Sequence, residues 1–437
     1  MTIEALLSSL DFDAAGRRMH ALMAELFPLC RSITGDGVRR TLDVLGARIE
    51  LAREEIPSGT RAFDWTVPKE WNIADAWVKN AAGERVIDFR RSNLHVLQYS
   101  TPIRRTVSRG ELAAHLHTLP DRPDWIPYRS SYYEERWGFC LAHAALQELN
   151  EDAYDVCIES TLADGHLTYG EAVIPGASTD EFLFSCHVCH PSLGNDNLSG
   201  IALTAQLAEL LRDVELRHSY RFLFLPGTIG AITWLSRNEP RVERIRHGLV
   251  VTCVGDGGRF HYKRSRRGTA PIDRAAEHVL RHSGSDYAVR DFSPDGYDER
   301  QYCSPGFDLP VGSLTRTPHG RYAEYHTSAD DLDFVAPRHL AESLRRYLEV
   351  LDVIENDGRY RTTNPKCEPQ LGRRGLLRTI GGIAAAERSH TATLWVLNLS
   401  DGAHSLLDIA SRAAMDFATI RDAAQRLVAH GLLERLL

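Results

Sequence analysis

Two thiols, two imidazoles and a carboxylate fall within eleven positions of this chain. They lie in Cys186-His187-Val188-Cys189-His190 and in the polar run Asn195-Asp196-Asn197-Leu198-Ser199-Gly200 that follows. The cluster comes directly after the apolar run Phe182-Leu183-Phe184, so it reads as a metal site at the mouth of a sheet. The same letters spell C-x-x-C-H, a c-type haem attachment pattern. Such attachment normally takes place outside the cytoplasm, and the chain opens with Met-Thr-Ile-Glu-Ala-Leu-Leu, which lacks a basic region followed by an apolar core. The expected compartment is the cytoplasm, haem is set aside, and the eight cysteines read as reduced thiols.

Other coordinating residues lie far along the chain. Asp256 sits in Val254-Gly255-Asp256-Gly257-Gly258, and Asp298-Glu299-Arg300 follow Pro294-Asp295-Gly296. Glu324 and His326 share the run Glu324-Tyr325-His326-Thr327-Ser328-Ala329-Asp330. His319 and Tyr322 are candidates to line the same pocket, and Asp330 and Asp331 read as caps of the segment after them. The basic stretch Lys263-Arg264-Ser265-Arg266-Arg267 reads as a solvated loop.

The elements that must position these groups follow from hydropathy texture. Helical spacing runs through residues 14–50 (Met19, Leu22, Met23, Leu26, Phe27, then Leu42, Leu45, Ile49) and breaks at Ser32-Ile33-Thr34-Gly35-Asp36-Gly37. From about 63 the texture turns to short strand-like pieces, Arg85–Phe89 and Leu94–Tyr99 among them, with five of the seven tryptophans in or beside this stretch. It reads as a small β-rich insert or lid, with a satellite core packed on the main domain as the other reading. From about 150 to 355, buried strands at 182–186, 220–225 and 248–254 alternate with helices at 199–213, 230–237 and 273–282. That alternation predicts an α/β unit with a largely parallel sheet, whose sites lie beyond the strand carboxyl ends. The division is 1–62 with 150–357 as a discontinuous α/β domain, 63–149 as the insert, and 370–437 as a winged helix-like unit after a linker at Thr362–Pro365.

Composition narrows the function classes. The chain is 43% hydrophobic and 25% charged, with a formal net charge of −8. That balance argues against a general nucleic-acid or membrane binder, and no run approaches the roughly 18 apolar residues of a span. In the winged helix unit the second helix carries Asp416, Arg421, Asp422 and Arg426, which sum to no net charge. Phosphate binding draws on Lys and Arg, so protein interaction or dimerisation is expected there rather than DNA binding. Self-association through the insert or the winged helix stays open.

Three motifs in combination resemble one family: Cys189-His190-Pro191-Ser192 leading to Asn195–Gly200, then Asp298-Glu299-Arg300-Gln301-Tyr302-Cys303, then Glu324–Asp330. The chain is similar to the zinc aminopeptidases and, more closely, to bacterial aminopeptidase-like proteins with a small inserted domain and a C-terminal winged helix. The resemblance covers nearly the whole chain. It implies a phosphorylase/aminopeptidase-like three-layer α/β core with a mostly parallel central sheet. It also implies zinc ligands at His187, Asp196 and His326, with Asp256 in the place of a further ligand. His190 remains in the ligand set, and Cys186 and Cys189 read as buried thiols.

Two departures qualify the resemblance. In that family a strand ends in adjacent glutamates, one a general base and one a metal ligand; here Gly227 and Thr228 stand there. The Asp that orients the first His is replaced by Cys189. One zinc is therefore expected rather than two. Glu324 is the candidate base, or else a carboxylate orienting His326, and Asp298, Glu299 and Arg300 are the candidate substrate contacts. The expected function is zinc-dependent amide hydrolysis of a small peptide or amino-acid conjugate through metal-activated water. The alternative is a catalytically altered zinc-binding scaffold that kept the peptidase fold.

Overall fold

The computed structural model describes residues 1–376 and 384–436; residues 377–383 and 437, which fall within the 370–437 unit of the sequence reading, lie outside the described residues. An eight-stranded sheet forms the centre. Its strands are β1 (Ala52–Pro57), β2 (His166–Ile174), β3 (Glu181–His187), β4 (Ser219–Leu225), β5 (Ile245–Val250), β6 (Phe260–Lys263), β7 (Tyr287–Arg290) and β8 (Val311–Thr315). They stand in the order β1-β2-β4-β3-β5-β8-β6-β7. The centre of the sheet is parallel (β4 with β3, β3 with β5, β5 with β8), while β1 and β2 pair antiparallel at one side.

Every residue of β3 is buried, as a central parallel strand covered on both faces requires. Its alternation divides two cores. Phe182, Phe184 and Cys186 face one apolar cluster, with Tyr220, Phe222 and Phe224 of β4 beside them. Leu183 faces the other, with Leu223 and Leu225. The first face is covered by α1 (Phe12–Leu26), α3 (Gly200–Leu211), α5 (Pro271–His282) and α6 (Pro337–Asn356); α2 (Asp36–Gly46) precedes β1, and α4 (Ile229–Asn238) covers the second face. Asp11 caps α1 by accepting from the Ala14 amide at 2.9 Å, and Pro337 opens α6 where no intrahelical donor is needed. The expected α/β architecture with a mostly parallel sheet is what the chain forms.

The insert is a four-stranded antiparallel sheet in the order Arg85–Asp88, Glu70–Lys79, Ala153–Ala163, Ile103–Ser108. Its last-formed strand in sequence, Ala153–Ala163, lies beyond the expected boundary at 149 and turns at Asp164-Gly165 straight into β2. The segment Leu94–Tyr99 holds a short 3-10 turn at Asn93–His95 and isolated bridges at Val96 and Gln98 instead of a strand. Trp71, Val78, Val156 and Ile158 of the insert share one apolar cluster with Leu183, Leu223 and Trp234 of the α/β unit. The insert is thus packed as an extension of the second core.

The winged unit also begins earlier than expected. Arg359–Thr362, which runs into the expected linker at Thr362–Pro365, is the central strand of a three-stranded sheet between Asp401–Ser405 and Leu433–Arg435. Helices Leu406–Ala413 and Phe417–Ala429 pack on it. Arg421 of the second helix is buried and donates to Asp352 of α6 at 2.6 Å, an ion pair whose side chains are 5% and 10% exposed. Removing one partner of a buried pair leaves an uncompensated charge. Arg421→Ala is expected to cost about 3 kcal/mol in urea unfolding, and an Arg421→Met/Asp352→Leu double variant to recover most of it.

Candidate metal centre

β3 ends at His187, and the loop that follows folds back over the carboxyl ends of the sheet. The two asparagines flanking Asp196 hold this loop. Asn197 Nδ2 donates to the carbonyls of His187 at 3.2 Å and Val251 at 3.1 Å. Asn195 Nδ2 donates to Asp256 at 2.8 Å, and its Oδ1 accepts from the Gly255 amide at 2.9 Å. Asp330 accepts from the amides of Asn195 and Asp196 at 2.5 and 3.0 Å. Gly200 starts α3 against this knot: a Cβ there would lie 2.3 Å from Asn197 Oδ1 and 2.5 Å from the Val251 carbonyl. The polar turn thereby directs the Asp196 carboxylate inward.

Three imidazoles converge on it. His187 Nε2 lies 2.7 Å from Asp196 Oδ1, His326 Nε2 lies 3.0 Å from Oδ2, and His190 Nε2 lies 3.9 Å from Oδ2. One ligand atom each from His187, His190 and Asp196 falls within a 4.8 Å group. His326 reaches in from the other side with a left-handed backbone, φ 56°. Its loop pairs with the insert: the Tyr128 amide donates to the His326 carbonyl and the Ser328 amide to the Ile126 carbonyl, both at 2.8 Å.

Aromatic rings wall the cluster. Tyr297 stacks on His187 with centroids 4.6 Å apart, Tyr325 stacks on His326 at 3.9 Å, and Tyr128 meets His190 and His326 edge-on at 5.2 and 5.0 Å. Burial holds His190 well below its usual range, against the opposing pull of the Asp196 carboxylate. Burial by itself would push the Asp196 carboxyl up, but the imidazoles of His190 and His187 and the hydrogen bonds from His187 and His326 overcome it and hold the group well below the carboxylate range. A carboxylate ringed by three imidazoles is a donor set that zinc accepts, with nitrogen and oxygen ligands at about 2.0–2.2 Å. The residues present fit a metal ion.

Arg31 fixes the outer turn of the loop. Its buried guanidinium donates to the carbonyls of His190 and Pro191 at 2.8 Å each and of Leu26 at 2.6 Å.

The structure thus brings His187, His190, Asp196 and His326 together. Asp256 stays outside the cluster, because its carboxylate is taken up by Asn195, by the Gly258 amide at 2.6 Å and by Thr317 Oγ1 at 2.9 Å. Cys253, at φ 50° just beyond β5, points its thiol toward Tyr297 and Tyr322 instead. Asp298 and Glu299 are 1% and 2% exposed, so they do not form an open surface pair; Glu299 binds Lys263 at 2.9 Å. That bond also takes Lys263 out of the expected solvated stretch. Glu324 is half-buried, and its carbonyl accepts from the Thr327 amide at 3.0 Å in the turn below His326. Asp331 caps the next segment through Asp333 and Phe334, whereas Asp330 clamps the Asp196 loop. Cys186 and Cys189 are buried thiols.

Sequence reasoning missed Arg31, Tyr128, Tyr297, Tyr325 and the clamp role of Asp330. Only the position of Arg31, directly before the Ser32–Gly37 break, offered a signal; the tyrosines come from segments whose meeting depends on the fold.

Residues 20–357 match the family model of a domain of unknown function, DUF4910, and residues 358–435 match a winged helix-turn-helix model. The chain belongs to the DUF4910 family. A Clostridium acetobutylicum protein whose provisional name joins polysaccharide biosynthesis to an aminopeptidase-like domain is 52% identical over 419 residues, 96% of each chain. A crystal structure from the same organism superposes with a TM-score of 0.95 at 49% identity, covering 99% of this chain and all of that one. A zinc aminopeptidase from Bacillus subtilis shares the fold at TM-score 0.55 and 9% identity, over 77% of this chain and 94% of its own. A Shewanella amazonensis M28 peptidase precursor does so at 0.53 and 15%, over 81% and 95%. The fold is that of the zinc aminopeptidases, with a winged helix behind it, as the sequence motifs implied.

Two buried carboxyls near the centre give a pH signature. Burial pushes Asp298 up to about 7 and Asp330 up to about 8. Both hold protons in the folded state that an unfolded carboxyl has already lost. Their contribution is therefore complete below about pH 4 and is lost as pH rises through 7 to 8. Denaturation of metal-free protein across that window should show stability declining with pH, and Asp298→Asn should flatten the slope.

Proposed function

We propose that this chain is a zinc-dependent amide hydrolase of aminopeptidase type, acting on a small peptide or amino-acid conjugate. The observation that carries this reading is the convergence of His187, His190 and His326 on Asp196 at the carboxyl ends of the parallel sheet. Asp196 and the three histidines would hold one zinc ion. Its chemistry when bound is Lewis acidity, which polarises a scissile carbonyl and acidifies a water. The occupation of Asp256 by Thr317 and Asn195, and Gly227 and Thr228 at the end of β4, support one ion over two.

The rest falls to the protein. Tyr128, Tyr297 and Tyr325 exclude water from the imidazoles and fix their planes, and the insert roofs the centre through its pairing with the His326 loop. Glu324, two residues before His326, takes the proton released on attack and returns it to the leaving amine. The winged helix serves packing or protein contact, because Arg421 is engaged by Asp352. Eight free thiols support a reducing compartment, the cytoplasm. No helix among the described residues is long and apolar enough to cross a membrane. The absence of strand-end acids favours one competing reading, a scaffold that binds zinc without turnover.

Elemental analysis should find about one zinc per chain, lost in Asp196→Ala. Release of free amine is to be measured on dipeptides, aminoacyl anilides and aminoacyl amides of amino sugars, the last because of the Clostridium relative's name. Turnover that falls about 100-fold or more in Glu324→Gln supports the hydrolase with Glu324 as base. Equal turnover in that variant removes Glu324 from the mechanism, and zinc-loaded protein silent on the whole panel is the scaffold.

A further inference from the structure

His187 uses Nε2 toward Asp196, and its second ring nitrogen, Nδ1, is buried with no hydrogen-bond partner. A histidine that ligates metal through one nitrogen carries its proton on the other, and that N–H ordinarily meets a carboxylate or carbonyl that fixes the ring and raises its basicity. In this chain Cys189 stands where the resemblance to zinc aminopeptidases implies an orienting acid. Its buried thiol is turned to the Gly227 carbonyl, as a donor at 3.8 Å, and so offers the ring no carboxylate acceptor.

A buried carboxyl group without a partner lies across Gly227 from this ring. Asp298 is 1% exposed, and both of its oxygens are buried without a partner. It occupies the N-cap position of the short helix Glu299–Tyr302 but makes no capping bond. Its neighbour Glu299 is engaged by Lys263, so Asp298 is the carboxylate of this pair left without a counter-group. Gly227 sits between Asp298 and the imidazole. A Cβ there would lie 3.0 Å from His187 Cβ, 3.5 Å from His187 Cγ and 3.8 Å from Asp298 Oδ1. A side chain there would crowd His187 and fill the space between it and Asp298. Orphaned polar atoms on both sides of Gly227 call for a physical account, because buried polar groups are costly when left unpaired.

We infer that Asp298 is the positioning residue for His187, facing its Nδ1–H across Gly227 and replacing from a distant loop the acid absent at position 189. The inference rests on the metal reading above but not on turnover. It also gives a reason for glycine at the end of β4: the strand end that carries an acid in the zinc aminopeptidases here clears the approach of Asp298. The role expected for Asp298 from sequence, capture of a substrate group, is replaced by one beneath the site.

The test is zinc affinity, measured by competition with a chromophoric chelator on the full chain, together with the 15N and 1H resonances of the His187 ring. In zinc-loaded wild type, His187 should show a slowly exchanging Nδ1–H. Asp298→Ala should weaken zinc binding about 10- to 100-fold and speed exchange of that proton. Asp298→Asn, which keeps an acceptor oxygen of the same shape, should lose less affinity and retain the resonance; it also serves if the alanine variant does not fold. Affinity within about twofold of wild type in both variants, or an unaltered Nδ1–H in Asp298→Ala, would overturn the inference while leaving the metal centre intact. A wild type that binds no zinc overturns the metal reading itself. A wild type that binds zinc without hydrolysing anything leaves this inference standing.

Discussion

A fully buried, ionised carboxylate at Asp196 is the constraint around which the centre is built. An isolated charge of that kind is too costly to bury, so the fold must surround it with compensating groups or keep it protonated. Here the compensation comes from three imidazoles, two of them within hydrogen-bond distance, and from a backbone held by Asn195, Asn197 and Asp330. Those groups come from two widely separated stretches, residues 187–197 and 326–330, and Asn197 ties the first of them to the turn after β5. Strand β3, the following loop, the turn after β5 and the loop before α6 must all be in place before the carboxylate is satisfied.

That dependence explains why the insert is packed as part of the core. Tyr128 hydrogen-bonds the backbone of His326 and lays its ring against two histidines, while Trp71 and Val78 extend the apolar cluster under β3 and β4. Arg31, ahead of α2, grips the carbonyls at the far end of the His187–Pro191 loop. A loop carrying three potential ligands would otherwise be mobile; these contacts pre-organise it, which lowers the ordering cost when an ion binds.

The centre also shows how a fold keeps an arrangement while exchanging the residues that make it. The strand end that carries acids in the zinc aminopeptidases carries Gly227 and Thr228, and Asp256 is absorbed into a turn with Thr317 and Gly258. What remains is a centre with one carboxylate at its heart and a second, Asp298, beneath a histidine.

Sequence alone determined the strand and helix alternation, the site at the strand carboxyl ends, and the four residues His187, His190, Asp196 and His326. The alternation was legible because hydrophobic periodicity is local; the ligand set was legible because three motifs together resemble the zinc aminopeptidases. Where the chain continues by short-range pattern, as in β3, β4, α3 and the winged helix pair, expectation and structure agree closely. Tertiary structure decided the rest. It moved Ala153–Ala163 into the insert and Arg359–Thr362 into the winged sheet, because strand pairing is a long-range choice. It withdrew Asp256 and brought in Tyr128, Tyr297 and Arg31, because a carboxylate's role depends on which donors reach it first. It buried Asp298 beside His187, because only the folded chain sets a loop near residue 298 against the end of a strand more than a hundred residues earlier.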